Sequence, residues 1–562
     1  MRELTHHVDF CVVGGGMAGL CAAVAAARKG IKVAIIQDRP MFGGNASSEI
    51  RMWVCGAHGK DNRETGIIEE IMLENYYRNT GYKYPIWDTV VFEQALLEPN
   101  LSYFLNCTCI DAHTEDGVII SVKGWQLTTE TYHTVYARYF ADCSGDSILA
   151  PLTGAEFMQG RESKSDFNEQ IPPDISDKKT MGMSCLIQFR ETTQKVDFIP
   201  PPWAYSYATD DDLPQADHSL ISNFWWIEVG GAHDSIHDTE KMRDELLKIA
   251  YGVADHIKNR GDHGADNWEL EWIGFLPGKR ESRRYVGKYI ITQNHVESGG
   301  MTDDTVGYGG WSMDDHFPEG FYYRDGHPTL YHPAPSPWGI PYGSLCSASI
   351  RNLMFAGRNI SATHAAMSSS RVMATCAILG QAVGTAAAIL VQDNKSIDDI
   401  DIAKLQQELL KDDCWLPGIT RNVSKLTQQA TVNCEIIRNG IDRGDEHCWK
   451  GKAGETLIYR FDTPQKVSTV RIIFDSDLNR GYQNMPCSYP LVQPRFKVPG
   501  TLIKEYKLVL TLDDGINKEI HVNDNRQRLV WHQINEKLVA AELIPIDTHG
   551  CDEYRVFSFE MM

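Results

Sequence analysis

Val8-Asp9-Phe10-Cys11-Val12-Val13-Gly14-Gly15-Gly16-Met17-Ala18-Gly19 opens the stretch that decides how this chain folds. A short apolar run, Phe10 to Val13, ends in glycines. The pattern predicts a small-residue helix from Leu20 to Lys29, closed by Gly30. A second apolar run, Ile31 to Ile36, ends at Gln37-Asp38. This is a βαβ unit with glycines at 14, 16 and 19. Gly14 permits the tight turn, Gly16 lets the backbone approach a pyrophosphate, and Gly19 lets the helix pack close to the strand. The helix N-terminus then faces the phosphates. The glycines follow a strand, open a helix and precede a second strand, which is the context a dinucleotide site requires.

Working outward, the chain of 562 residues is long enough for about three or four domain-sized units. Its formal net charge of −21 disfavours nucleic acid and anionic membrane as partners. The fourteen cysteines are scattered, with no paired sets at zinc spacing, and read as buried small hydrophobes in a reducing compartment. The apolar stretch Phe10 to Ala27 holds glycines and no cleavage-type boundary, so the βαβ reading takes precedence over a signal peptide. A cytoplasmic location, no membrane span and no metal are expected. Ligand-type residues do occur at His233, Asp234, His237 and Asp238, but they read as the solvated acidic start of a helix.

After the second strand, Gly43-Gly44 lets the backbone pass close to a flat or phosphorylated ligand, and Asn45, Ser47 and Ser48 offer amide and hydroxyl groups. Glu49 to Gly59 mixes Arg51, Cys55 and His58 with glycines, as an active-site loop would. Residues 63–79 read as a helix, and 101–140 as an antiparallel meander with runs Val118–Val122 and Thr134–Phe140. That meander ends in Ala141-Asp142-Cys143-Ser144-Gly145-Asp146, a strand entering a turn. Residues 156–340 are rich in aromatics, His, Asp and Pro and read as an inserted α+β cap, with a strand at Asn223–Val229 and a helix at Glu240–His256. The first domain's style returns at 341–395, with a strand ending in Ala356-Gly357-Arg358 and a small-residue helix Ser370–Leu390. A helical linker, 396–420, leads into strand after strand from 421 to 562, read as a jelly-roll-like β-sandwich.

Gly14–Gly19, Gly43–Gly44, Ala141–Asp146, Arg280–Arg284 and Phe355–Gly384 together resemble the FAD-dependent oxidoreductases of the glutathione-reductase-type fold. Arg-Glu-Ser-Arg-Arg (280–284), Ala-Gly-Arg-Asn-Ile-Ser-Ala-Thr-His (356–364) and 370–382 are closest to a bacterial branch found beside polysaccharide-using genes. The C-terminal part resembles a galactose-binding-type sandwich, through Val423–Thr431 and Trp449. The opening stretch alone does not choose between NAD and FAD; the return segment 351–384 points to FAD. The resemblance implies an α/β, three-layer Rossmann-like FAD domain in two parts, 1–155 and 341–395, around the cap. It implies FAD contacts at Gly14, Gly16, Met17, Ala18 and Gly19, at Gln37, Asp38 and Arg39, and at Gly43, Gly44, Asn45, Ser47, Ser48 and Arg51. Further contacts are implied at Cys107, Gly145 and Asp146, and at Gly357, Arg358, His364, Val372 and Met373. The family's usual Glu after the second strand is Gln37 here, so the ribose contact is expected to be non-standard and Arg358 to pair with the pyrophosphate.

The chemistry expected is hydride transfer between a small polar substrate, a carbohydrate or glycoside hydroxyl, and flavin N5, with a histidine taking the hydroxyl proton. His58 is a candidate base, substrate ligand or covalent flavin link, and Cys55 a reactive or a merely buried thiol. His364 is a candidate donor to the reduced flavin. Of the arginines at the cap boundary, Arg283 is expected to face substrate and its neighbour to be structural. A flavin-dependent reductase or isomerase, and a glycan-binding protein with structural FAD, are the alternative readings. Homo-oligomerisation is left open.

Overall fold

Five apolar runs far apart in the chain pair into one parallel sheet. Its order is Leu353–Phe355, Tyr139–Asp142, Phe10–Val13, Val33–Ile36 and Leu101–Phe104. Register sets Val12 against Ile35 on one side and Ala141 on the other. Strands of such a sheet are covered on both faces and read as unbroken apolar runs, and Phe10–Val13, Val33–Ile36 and Tyr139–Asp142 are buried throughout. This computed structural model describes residues 1–481, 484–492 and 495–562.

The sheet belongs to a compact unit made of Met1–His58, Tyr82–Leu405 and the described residues of 482–495. Two helices in it meet backbone to backbone. A Cβ added at Gly380 would lie 1.9 Å from the Ala18 carbonyl oxygen, and one at Gly384 2.0 Å from that of Ala22. Only glycine permits that approach, and it locks the return helix against Met17–Arg28. The expected helix Ser370–Leu390 is in fact two, His364–Ser370 and Met373–Asp393, broken at Arg371-Val372. Met373–Asp393 is long and apolar enough to cross a membrane by composition, but it is buried from Ala374 to Leu390 inside the fold.

The meander is present with a different division. Thr131–Tyr136 and Tyr139–Asp142 are separate strands in separate sheets, where one run, Thr134–Phe140, was expected. Thr131–Tyr136 pairs with Val118–Gln126, which pairs with Cys107–Glu115, and the N-terminal Arg2–His7 adds in parallel at the edge. In the inserted segment, small two- and three-stranded sheets surround a core of Phe189, Trp226, Leu246 and Val253. Asn223–Val229 is strand only at Glu228–Val229, because Phe224 takes a left-handed φ of 56° that ends regular pairing. The amphipathic helix there is Thr239–Asp255, extended by a π-helical turn, His256–Arg260.

The second unit comprises Gly59–Gly81, Gln406–Gly481 and Phe496–Met562. Its seven-stranded antiparallel sheet runs Trp449–Gly451, Tyr554–Met561, Leu457–Phe474, Leu529–Thr548, Ile503–Leu512 and Asn517–Val522, with Thr431–Val432 beside Leu457–Phe474. Leu457–Phe474 is one long strand, with register shifts between Arg460 and Gln465 and between Val467 and Thr469. Ile67–Arg78 also folds here: Glu69 pairs with Arg480 at 2.5 Å and Glu74 with Arg526 at 2.6 Å.

Candidate active site

The turn after Phe10–Val13 is forced. Gly14 has φ 101°, and a Cβ there would fall within 2.5 Å of the Cys143 carbonyl. No L side chain fits both conditions. The helix beginning at Met17 has no side-chain cap and no acidic residue in its first turn. Its first N–H groups are therefore left for a ligand, and the dipole favours an anion there. A second glycine loop closes over the first: the Gly43 N–H donates to the Gly15 carbonyl at 2.9 Å, and Gly16 bridges Gly43.

These loops floor a cavity of about 830 Å³, a volume within the range of cofactor sites. Gly14, Gly16, Met17, Ala18, Gln37, Asp38, Arg39, Gly43, Gly44, Asn45, Cys107, Gly145, Asp146, Gly357, Arg358 and Met373 all stand in its wall. Val372 lines a second cavity beside it. Gly19 lies off the wall: its Cβ position is 1.8 Å from the Gly14 carbonyl oxygen, so its role is helix-to-strand packing. Burial pushes the Cys107 thiol up to about 12, which leaves it an inert wall group.

Ser47, Ser48 and Arg51 are not in either wall. The Ser48 N–H donates to Asp88 at 3.1 Å. Arg51 donates to Gln188 Oε1 at 2.6 Å, with its guanidinium over the rings of Tyr84 and Trp272. The two rings and the Gln188 bond occupy its guanidinium.

Two polar residues of the wall are committed within the protein. Gln37 Oε1 accepts from the Gly15 N–H at 2.7 Å, and Gln37 Nε2 donates to the Met41 carbonyl at 3.1 Å. Its amide therefore ties the two glycine loops together. Arg358 donates to Asp146 Oδ1 at 2.6 Å and to Ser282 Oγ at 2.8 Å, while Lys279 holds the other Asp146 oxygen at 2.7 Å. Burial would raise the Asp146 carboxyl, but Arg358 and Lys279 hold it well below the usual carboxylate range. Arg358, expected to pair with the pyrophosphate, is engaged with this acidic partner.

The second cavity, about 120 Å³, is lined by Trp53, Trp225, Trp311, Arg280, Asp314 and Arg371, among others. Asn45, Ile50, Lys279, Arg358, Arg371 and Met373 stand in both walls. Asp314 accepts from Arg371 at 3.1 Å. Burial raises the Asp314 carboxyl, but His316 and Arg371 hold it well below its ordinary range. His316 Nδ1 donates to Glu228 Oε2 at 2.7 Å, and its Nε2 accepts from Arg371 at 3.0 Å. Glu228 in turn pairs with Arg280 at 3.2 Å.

The three expected catalytic side chains lie outside both cavity walls. His58 stacks on Trp311, ring centroids 4.4 Å apart. It contacts the second cavity's wall through that tryptophan. His364 is buried between Glu281 at 2.9 Å and Asp315 at 3.0 Å. Burial would lower its pKa, but Glu281 and then Asp315 raise it to about 10. His364 is thus a buried cation rather than a base. Arg283 lies over the Phe157 ring, paired in a strand with Gln159. Its neighbour Arg284 is buried against Glu162 and Glu281. Besides Arg358, the arginines that line the second cavity are Arg280 and Arg371. Both sit inside quoted motifs, but only the bend at Arg371-Val372 and the cap's short strand at Gly278–Lys279 aim them inward.

Among solved structures, the chain is similar to a geranylgeranyl bacteriochlorophyll reductase-like protein from Thermoplasma acidophilum. Identity is 13%, covering 73% of this chain and 85% of that one, at a TM-score of 0.34. It is also similar to glycerol-3-phosphate dehydrogenase from Bacillus halodurans, solved with FAD: 14% identity, 35% and 43% coverage, TM-score 0.20. Curated glycerol-3-phosphate dehydrogenases of Mycobacterium leprae and Mycobacterium tuberculosis match at 33% identity over 70 residues, and the chain spans only 12% of their length. The family model described as FAD dependent oxidoreductase matches residues 9–409. The chain belongs to the FAD dependent oxidoreductase family, and FAD is its cofactor.

Proposed function

We propose that this oxidoreductase oxidises a hydroxyl group of a small carbohydrate or glycoside. The carrying observation is the second cavity: three tryptophans and five charged side chains (Lys279, Arg280, Asp314, Arg358 and Arg371) in a wall shared with the glycine-floored cavity. Aromatic faces suit the C–H faces of sugar rings, and a few placed polar groups fix their hydroxyls. The curated relatives, named for a phosphorylated polyol, fit an oxidised hydroxyl.

FAD, held by Gly14–Ala18, Gly43–Asn45 and the Asp146–Arg358 wall, supplies hydride-accepting chemistry when bound. The side chains do the rest. Arg280 and Arg371 donate to substrate oxygens. Asp314, kept ionised by its neighbours, accepts the hydrogen bond of the reacting hydroxyl. The released proton passes to Asp314, and His316, held by Glu228 at Nδ1 and by Arg371 at Nε2, keeps that arginine beside it. Trp53, Trp225 and Trp311 exclude water and orient the ring. His58 supports the Trp311 face.

The test is anaerobic mixing of the holoenzyme with a panel of sugars and glycosides. Bleaching of the flavin absorbance by one sugar class is the expected result. A flavin that stays oxidised against the whole panel, yet is reoxidised after chemical reduction by a carbonyl or alkene compound, would overturn the reading in favour of a reductase.

A further inference from the structure

Away from both cavities, in the inserted segment, three imidazoles and a carboxylate converge. Asp210 opens a short turn, Asp210–Asp212, and His218 lies further along the same loop. His256 begins the π-helical turn that extends Thr239–Asp255, and His263 follows that turn. π-Turns are rare and concentrate at functional sites. One ligand atom from each of the four residues lies within 4.8 Å of all the others.

We propose that Asp210, His218, His256 and His263 form a tetrahedral binding site for a divalent transition ion of the zinc type. Zinc–nitrogen and zinc–oxygen bonds of about 2.0–2.1 Å place tetrahedral ligand atoms about 3.3–3.4 Å apart. Four of the six separations bracket that value, and the other two lie within 4.8 Å. Two of the four are 2.9 Å for His256 Nε2 to Asp210 Oδ1 and 3.1 Å for His256 Nε2 to His263 Nε2. The pairs His218 to Asp210 and His263 to Asp210 measure 3.6 and 3.8 Å.

The outer contacts orient the rings. His256 Nδ1 lies 3.0 Å from the Tyr207 carbonyl and His218 Nδ1 3.3 Å from that of Ala216. Each Nδ1–H donates outward, which turns the Nε2 lone pair inward, as second-shell partners of metal-bound histidines do. Two inward lone pairs then face the Asp210 carboxylate, an arrangement that a cation satisfies at once. His256 is 1% exposed while Asp210 is 67% exposed, so the ion has an entry path from solvent. Imidazole and carboxylate donors without thiolate favour zinc over softer partners. With four protein ligands the site leaves no open position, which makes it a structural clip joining the loop 207–218 to the end of the long helix.

The ligands are scattered between 210 and 263, so no short spacing announces them. The cluster singled out earlier does not converge: His237 pairs with Asp234 and His233 with Asp238 at the helix start.

The test uses tag-free holoenzyme. Elemental analysis after dialysis is expected to give about one zinc per chain, and X-ray absorption a shell of nitrogen and oxygen at about 2.0–2.1 Å without sulfur. Zinc added back to chelator-treated protein should raise Tm. His218→Ala and Asp210→Asn, both at the solvent side, should each weaken zinc retention about tenfold or more, with flavin content unchanged as a check on folding. A chelated protein that takes up no zinc and melts identically with and without it overturns the proposal. So do variants that retain zinc as the parent does.

Discussion

Gln37 Oε1 accepts the Gly15 backbone N–H at 2.7 Å, and the same amide donates to the Met41 carbonyl. The residue after the second strand therefore braces the glycine turn from behind. Gln37 is only 2% exposed, so removing its side chain leaves a buried donor and a buried acceptor unmade. Gln37→Ala should lose about 1–3 kcal/mol of stability and retain FAD more weakly. Gln37→Glu keeps the acceptor but sets a carboxylate oxygen against the Met41 carbonyl, and should recover only part of the loss. Thermal melts and FAD titration check both. An alanine variant with unchanged Tm and FAD affinity would show that the side chain does not hold the turn.

Asp146, gripped by Arg358 and Lys279, has its carboxyl depressed in the folded state. Its stabilising contribution is present above the unfolded carboxylate value and is lost as pH falls through the acid range. Arg358→Ala removes one of the two cations. The variant should be less stable than the parent at neutral pH and show a shallower loss of stability below about pH 4. Denaturant titrations across pH 3–7 measure this. Parallel curves for parent and variant would refute the coupling.

His364 behaves in the opposite sense. Its folded pKa is raised to about 10 from an ordinary 6.5, so its contribution is complete below pH 6.5 and fades as pH rises towards 10. His364→Gln removes a buried cation from between Glu281 and Asp315 and should cost about 3–5 kcal/mol at neutral pH. The variant should also lack the parent's alkaline decline between these values. Stability measured from pH 6 to 10 decides it, and an equal decline in the variant would assign the effect elsewhere.

Trp53 lines the second cavity. Trp53→Ala should raise KM for the sugar that bleaches the flavin about tenfold, a change of about 1.4 kcal/mol, with a smaller effect on kcat. Steady-state kinetics with that substrate is the check. An unchanged KM would remove this wall from substrate recognition.

The dinucleotide turn was legible because each of its demands falls on adjacent residues. Strand, glycines and helix follow one another, and the restricted geometry at Gly14 admits no other residue. The return helix was legible as a small-residue pattern, and Gly380 and Gly384 explain it. The break at Arg371-Val372 was not legible, since neither residue is a strong helix breaker. The long strand Leu529–Thr548 and the edge strand Arg2–His7 also escaped notice, because their pairing partners lie far away in the chain.

By itself, then, the sequence determined the βαβ core and the family, because those rest on local backbone geometry. Only the tertiary structure decided which charged side chains face the cavities. Arg280 and Arg371 line them, while Arg283, Arg51 and His364 are engaged elsewhere. Motif spacing cannot settle this, because a charged side chain settles where a buried partner compensates its desolvation, and those partners (Glu228, Glu281, Asp146) come from distant parts of the chain. The same holds for Asp210, His218, His256 and His263, which the fold of the inserted segment alone brings together.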